Sequence, residues 1–241
     1  MQLADLKSRG LIRPVTAPPV AGNGFPFGLG QAGLHELAEA AYGDRAAMTG
    51  FLLAALQPAA RGTWVWVQQG TFARDSGAVP AAALARSAAQ LRLTVQTRNT
   101  GEALWAAEEA IVSGATNLVV AEIERADFTA TRRLALASGR HGVPVVLMLP
   151  HTCEGATAAA TRWRISPRPS APNRFDPHAP GHPRWRAVLE RCRIAPSSAG
   201  RTFDLEWNDE TLSLGVAGGL AAGPSAPRAA PSASGLRRKA G

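Results

Sequence analysis

Apolar residues in the middle of the chain follow two alternating spacings. Mainly apolar runs predict buried strands at 63–68, 118–121 and 143–149, and two shorter strands are predicted at 34–37 and 93–95. Apolar residues at helical spacing between these runs predict four helices, at 46–56, 80–91, 102–113 and 129–141. Buried strands separated by helices are typical of a mostly parallel sheet that is covered on both faces.

The third and fourth predicted helices carry recognisable ends. Thr100 stands where an N-cap residue is expected for the third helix, and Gly114 follows its last turn. Asp127 or Thr129 is the expected cap of the fourth helix, and Gly142 lies beyond its end. These signals support the assignment of both helices.

The pattern changes after Pro150. Four further strands are predicted, at 161–166, 185–194, 202–207 and 211–214. The last two flank an Asn-Asp-Glu segment that is typical of a hairpin turn. The sequence therefore predicts an α/β protein, with a mostly parallel sheet flanked by helices and antiparallel strands at the C-terminal edge.

The two ends of the chain differ in composition from this core. Residues 1–30 read as a short helix followed by a linker rich in Pro and Gly, and residues 217–241 read as a disordered basic tail. Residues 31–216 remain as one domain. Leu3 and Leu6 lie three positions apart, which predicts a short helix that docks in a groove of a partner; a frayed terminus is the alternative.

Composition narrows the class of protein and of partner. Hydrophobic residues make up 46% of the chain, which is typical of a globular domain, and the net charge of +8 favours nucleic acid or an acidic protein surface as a partner. No apolar run approaches the roughly 20 residues of a membrane span, and the N-terminal residues lack the apolar segment of a signal peptide. Cys153 and Cys192 form no CxxC pair and suit a reducing compartment. We expect a cytoplasmic protein without membrane contact.

A group of short motifs lies at 99–104, 109–110, 113–115 and 118–120. Together they resemble the segment that leads into the Walker-B strand of RecA proteins. The helix and strand that follow also match the RecA order and length. This resemblance implies a RecA-like core.

RecA proteins bind ATP with a GxxxxGK[ST] loop, whose backbone N–H groups and Lys hold the phosphates. The equivalent stretch here, 38–49, contains no Gly-Lys-Thr, and Met48 stands at the expected lysine position beside Thr49. Without this cation and the glycine-rich curve, we expect tight phosphate binding to be lost.

Two further positions bear on catalysis. Where a RecA ATPase supplies a catalytic carboxylate, this chain has Gln-Gln-Gly at 68–70, and no acid appears before Asp75. Glu122 ends the predicted Walker-B strand, where it is either a metal ligand or a structural carboxylate. We treat Thr49 and Glu122 as vestigial positions, and predict no cofactor, no metal and no catalysis.

A further set of short motifs is spread over the chain, at 33–36, 103–110, 131–134, 158–164, 183–186 and 190–193. Together these motifs resemble the ImuA family, which comprises accessory proteins of bacterial damage-induced mutagenesis cassettes. The resemblance implies assembly with ImuB, a polymerase-like protein without catalysis, and with an error-prone polymerase. It also implies contact with RecA.

Two Arg-Trp-Arg triplets mark a candidate surface. Alternation along a strand puts Arg162 and Arg164 on one face, and it does the same for Arg184 and Arg186. An arginine-rich face on neighbouring strands would meet DNA phosphates or an acidic partner. The alternative is a set of solvated arginines beside buried tryptophans.

Three other motifs have simpler readings. The GxGxxG match at 28–33 follows a loop and precedes a strand, the reverse of a dinucleotide-binding motif. Prolines around His178 and His182 prevent a helix that would align them for zinc. His35 beside Glu36 suggests an acid/base pair, but no nucleophile lies at a recognisable spacing, so a packed pair is expected.

The resemblance to the ImuA family implies a role in error-prone translesion DNA synthesis and SOS mutagenesis. The missing phosphate-loop lysine and catalytic carboxylate predict that this role is that of a non-catalytic adaptor. The alternative is an ATP-dependent RecA-like protein of recombination that binds DNA and uses a non-standard phosphate loop.

Overall fold

The fold was analysed in a computed structural model that describes residues 25–56, 62–77, 79, 89–170, 172–173, 175–176, 178–208 and 213–216. The strands in this part of the chain are β1 (Gly33–Glu39), β2 (Gly62–Gln69), β3 (Ala89–Thr97), β4 (Leu118–Glu122), β5 (Pro144–Leu149), β6 (Thr161–Arg168), β7 (Arg184–Cys192), β8 (Thr202–Asn208) and β9 (Ser213–Val216). The helices are α1 (Arg45–Ala55), α2 (Gly70–Ser76), α3 (Thr100–Val112) and α4 (Phe128–His141), with a 3-10 turn at Pro196–Ser198.

These strands form one sheet in the order β3-β2-β4-β5-β1-β6-β7-β8-β9. The first six strands in this order, β3, β2, β4, β5, β1 and β6, run parallel to one another. Strands β7, β8 and β9 are each antiparallel to their neighbours. The predicted α/β fold, with antiparallel strands at the C-terminal edge, is confirmed. Strand β6 is parallel to β1 because the connection 150–160 returns the chain to the start of β1, where the Ala160 N–H donates to the Leu34 carbonyl oxygen at 2.7 Å.

The central strands are buried on both faces because successive side chains point into two separate cores. Trp64 and Trp66 of β2 pack in one core with Met48 of α1. Val65 and Val67 of the same strand point into the other core, under α3 and α4. Continuous apolar runs in the sequence therefore correspond to strands with helices on both sides.

An aromatic cluster ties the segment before β1 to the first of these cores. The Phe25 ring centroid lies 5.6 Å from that of Trp163 and 5.7 Å from that of Phe203. Phe27 contacts the same two rings, at 6.0 and 5.9 Å. The end of the predicted N-terminal linker is thus packed on the domain from residue 25 onward.

The ends of α3 and α4 agree with the sequence signals except at one cap. Asn99 is the N-cap of α3, and its side chain accepts a hydrogen bond from the Glu102 N–H at 2.9 Å. The prediction of Thr100 as the cap is wrong, because Thr100 is already helical and its hydroxyl donates to Gln69. Of the two predicted caps of α4, Asp127 is the cap, and its side chain accepts from the N–H of Ala130; Thr129 lies inside the helix.

The predicted helix 80–91 is wrong at its end, where residues 89–91 belong to β3. Pairing of β3 along the whole length of β2 outweighs the local helical pattern there. The remainder of that helix lies outside the described residues, as do Leu3, Leu6, the tail 217–241 and the turn that joins β8 to β9. In the described part of the chain, no helix has both the length and the apolar character to cross a membrane.

Candidate functional site

The carboxyl ends of β1, β2, β4 and β5 meet at one edge of the sheet, where parallel α/β proteins bind ligands. A cavity of about 620 Å³ opens there beside α1 and α2. Its lining includes Thr49, Phe72, Asp75, Glu122 and His151. This cavity lies where the sequence predicts the vestigial nucleotide site.

Arg45, the first residue of α1, is the central charge of this site. Its Nε donates to Glu39 Oε1 and its Nη1 donates to Glu122 Oε2, each at 3.1 Å. All three residues are at least nine-tenths buried, and the guanidinium carbon lies 4.0 Å from the centroid of the Phe72 ring. The remaining nitrogen, Nη2, has no hydrogen-bond partner in the described structure. Arg45 is therefore the shared counter-ion of two buried carboxylates, one at the end of β1 and one at the end of β4.

Glu122 is engaged by the chain itself. Its Oε1 accepts from the indole N–H of Trp66, and its Oε2 accepts from Arg45 and, at 3.5 Å, from Gln68 Nε2. A carboxylate that binds Mg²⁺ needs oxygen lone pairs directed at the ion. Both Glu122 oxygens are instead directed at donors of the protein.

The loop between β1 and α1 also uses its own polar groups. The N–H of Ala40 donates to the Ile165 carbonyl oxygen at 2.9 Å. The N–H of Ala41 donates to Asp44 Oδ2 at 3.0 Å, so that a carboxylate of the chain lies just before α1. Backbone N–H groups at this position are the ones that hold phosphates in a phosphate loop.

Met48 and Thr49 point in different directions from α1. Met48 is fully buried in the core with Trp64 and Trp66, and Thr49 is half-buried and lines the cavity. The position that corresponds to the phosphate-loop lysine is therefore an apolar core position. The position that corresponds to the Mg²⁺-binding hydroxyl faces the cavity.

The end of β2 differs in detail from the sequence interpretation. Gln68 and Gln69 belong to the strand itself, and Gln69 Oε1 accepts from Thr100 and from the N–H of Glu124. Asp75 reaches the cavity because α2 begins directly after β2. Arg45 was not predicted as a site residue from the sequence. The feature that could have indicated it is a positive charge at the start of α1, six residues after Glu39.

A second buried ion pair joins β1 to β6. Arg162 Nε donates to Glu36 Oε2 at 2.6 Å, and the Thr157 hydroxyl donates to Glu36 Oε1 at 2.5 Å. Burial raises the pKa of the nearby Cys153 thiol. His35 does not pair with Glu36; its Nδ1 lies 2.8 Å from the hydroxyl oxygen of Thr161.

The four arginines of the predicted contact surface lie in two environments. Arg162 is buried, and Arg164 is half-buried between Glu190 and the backbone carbonyl oxygens of Glu39 and His151. Arg184 and Arg186 are half-exposed on β7, and they pair with Glu206 and Asp204 of β8.

One of these pairs has a clear electrostatic signature. A hydrogen bond from Arg186 lowers the pKa of Asp204 and raises that of the arginine. Contact of this surface with DNA or a protein stays a prediction, and it now depends on Arg184 and Arg186. The matching tryptophans, Trp163 and Trp185, are buried on the opposite face, as strand alternation predicts.

The glycine motif and the histidines singled out in the sequence lie in separate places. Gly28 and Gly30 lie in turns before β1, and His178 is exposed. Among the described residues, no three His, Cys, Asp or Glu side chains converge in a way that could hold a metal ion.

Two known proteins are similar to this chain in sequence. Both are named Protein ImuA, and they come from Caulobacter vibrioides strains NA1000 / CB15N and ATCC 19089 / CIP 103742 / CB 15. Each is 36% identical over 188 residues, which cover 71% of this chain and 73% of the relative. No family model matches the chain.

Proposed function

Because this chain belongs to the ImuA family, we propose that it acts as a non-catalytic adaptor in error-prone translesion DNA synthesis and SOS mutagenesis. Its partners in this proposal are the polymerase-like ImuB and an error-prone polymerase, with RecA as a further contact. The adaptor acts through binding free energy alone, which brings the polymerase assembly to damaged DNA.

The interaction of Arg45 with Glu39 and Glu122 is the observation that supports a role without catalysis. The two carboxylates bind an internal cation, where a nucleotide-binding site would need a free metal ligand. Binding Mg²⁺ at Glu122 would require breaking a buried ion pair, at an expected cost of several kcal/mol. The Asp44 carboxylate before α1 would also repel a phosphate.

A second candidate function is supported by the cavity. Its volume of about 620 Å³ suits a small molecule, and Thr49 and Asp75 both line it. A hydroxyl and a carboxylate beside a helix N-terminus are elements of an ATPase site. This candidate is an ATP-dependent RecA-like protein of recombination with a non-standard phosphate loop.

Nucleotide hydrolysis separates the two candidates. We expect purified protein with ATP, Mg²⁺ and single-stranded DNA to show no turnover above background. Thr49→Ala tests any residual turnover, and Thr129→Ala, at an exposed position on α4, is its control. Turnover that is lost in Thr49→Ala and kept in Thr129→Ala would contradict the adaptor proposal.

Partner capture tests the mutagenesis role. A pull-down from damage-induced cells should recover ImuB, the error-prone polymerase or RecA with the full chain. A chain that lacks residues 1–12 should lose one of these partners if Leu3 and Leu6 form a docking helix. Removal of residues 217–241 is the matched control. Recovery of none of these partners with the full chain would remove the mutagenesis role.

A further inference from the structure

Helices α3 and α4 lie side by side over one face of the sheet and leave a hollow between their outer surfaces. Its volume is about 210 Å³. Gly101 and Leu104 of α3 line one side, and Ala130 and Leu134 of α4 line the other. Small residues at 101 and 130 leave room for a side chain from another molecule.

Large apolar side chains are exposed on these two helices. Trp105, which lines the hollow, is 64% exposed, and Leu136 of α4 is 61% exposed. Val112, near the end of α3, is 50% exposed. Exposed tryptophan beside a small apolar hollow is characteristic of the residues that dominate protein–protein binding.

The two helices carry opposite charges. The acidic residues of α3 are Glu102, Glu108 and Glu109, and this helix has no basic residue. The basic side chains of α4 are Arg132, Arg133, Arg140 and His141, and this helix has no acidic residue.

One ion pair across the hollow joins Arg133 to Glu108. Glu109, Arg132 and Arg140 are exposed, and none of them forms an ion pair within the part of the chain that the structure describes. The outer surface of the two helices is therefore acidic on one side and basic on the other.

We propose that this surface is the interface of a two-fold symmetric dimer of the chain. A two-fold axis parallel to the helices sets α3 of one protomer against α4 of its partner, so that each acidic side meets a basic side. The same packing buries Trp105, Val112 and Leu136 of both copies. A partner of a single charge would be attracted by only one of the two helices, whereas a second copy is complementary to both.

The dimer goes beyond the adaptor role and does not depend on it. Sedimentation of the purified full chain over a series of concentrations measures the association directly. We expect a monomer–dimer equilibrium, and we expect Trp105→Ala to weaken it about tenfold or more. Leu91→Ala, which removes another exposed apolar side chain from β3, is the matched control and should leave the equilibrium unchanged.

A charge exchange tests the pairing of α3 with α4. Glu109→Arg and Arg132→Glu should each weaken the dimer, because each creates like charges across the interface. An equimolar mixture of the two variants should restore dimerisation, because the mixed pair again joins opposite charges. Circular dichroism of each variant checks that the fold is intact.

Three outcomes would overturn the proposal. The first is a wild-type monomer at all concentrations, and the second is a dimer that Trp105→Ala leaves unchanged. The third is a mixture of charge variants that associates no better than either variant alone.

Discussion

At the scale of single residues, the dominant feature is a small number of buried charges. Arg45 contacts Glu39 and Glu122, and Arg162 contacts Glu36, with every partner at most 8% exposed. Buried ion pairs contribute little net stability, but removing one partner leaves an uncompensated charge in a poorly solvated site. These pairs therefore fix the positions of β1, β4, β6 and α1 relative to one another.

Removing the central cation should be strongly destabilising. We expect Arg45→Met to lower the free energy of unfolding by about 3–5 kcal/mol, because two buried carboxylates lose their counter-ion. Urea titration followed by circular dichroism measures the change. Thr49→Ala, one turn further along α1 and facing the same cavity, should cost less than about 1 kcal/mol.

A second substitution tests the cause. Adding Glu122→Gln to Arg45→Met removes one of the two unpaired charges, so the double variant should be more stable than Arg45→Met alone. If the second substitution only adds to the loss, the cost of Arg45→Met does not come from unpaired charge.

His35 gives the protein a specific sensitivity to acid. Burial lowers its pKa from 6.5 to about 4. The folded pKa lies below the unfolded value, so below pH 6.5 the unfolded chain binds a proton on this histidine more readily than the folded protein does. The free energy of unfolding is therefore highest above pH 6.5 and falls as the pH decreases toward 4. Each pKa unit corresponds to about 1.4 kcal/mol, so the full loss is about 3 kcal/mol.

The comparison with His35→Asn isolates this contribution. The gap in unfolding free energy between wild type and His35→Asn should be largest near pH 7 and should shrink by about 3 kcal/mol as the pH falls to 4. Chemical unfolding at a series of pH values measures the gap. His141→Asn, at an exposed position, is the matched control. A gap that does not change with pH would show that His35 does not titrate in this way.

At the scale of elements, side-chain caps determine where α3 and α4, the two helices that lie together on one face of the sheet, begin. Asn99 has an extended backbone and accepts a hydrogen bond from the N–H of Glu102, and the Glu102 carboxylate accepts from the N–H of Arg98. Reciprocal bonds of this kind satisfy N–H groups that the helix leaves unpaired. The cap matters here because α3 covers β2 and β4.

Substitution of Asn99 should show the cost of losing this cap. We expect Asn99→Ala to reduce the free energy of unfolding by about 1 kcal/mol. Asn99→Ser keeps a side-chain acceptor and should retain most of the stability. Urea titration of both variants distinguishes them, and equal losses would mean that the cap is not the source of the effect.

At the scale of the whole molecule, the excess of positive charge and its placement decide what the protein attracts. The net charge is +8, but Arg184 and Arg186 of β7 pair with Glu206 and Asp204 of β8. Exposed pairs of this kind are weak and are screened by salt, so phosphate groups compete with them. The surface formed by Arg184 and Arg186 therefore remains a candidate for DNA binding.

Salt dependence tests this candidate. Affinity for single-stranded DNA should fall steeply with salt, and the Arg184→Ala/Arg186→Ala double variant should show a shallower slope of log affinity against log salt. The expected reduction is about 0.7 per arginine. Arg125→Ala, an equal loss of charge per residue at another exposed position, is the control. A slope that is the same in wild type and double variant would exclude this surface.

Local patterns were sufficient to predict most of the architecture. The strand β2 and the helices α3 and α4 were identifiable because burial on one or both faces imposes a period that depends only on neighbouring residues. Residues 89–91 are the exception, since pairing with β2 overrode a helical pattern there. The RecA-like and ImuA-like stretches likewise follow from residues that are close together in the chain.

The chemistry of the candidate site depended on residues that are far apart in the chain. Arg45 and Glu122 are separated by 77 positions, and Arg162 and Glu36 by 126, yet each pair is in direct contact. The spacing of residues along the chain does not show which charged side chains come into contact in the folded sheet, because those contacts depend on strand order and direction. Glu122 was therefore recognisable as a carboxylate at the end of a strand. Its ion pair with Arg45 followed from the parallel order β4-β5-β1, which brings the ends of these strands to one edge.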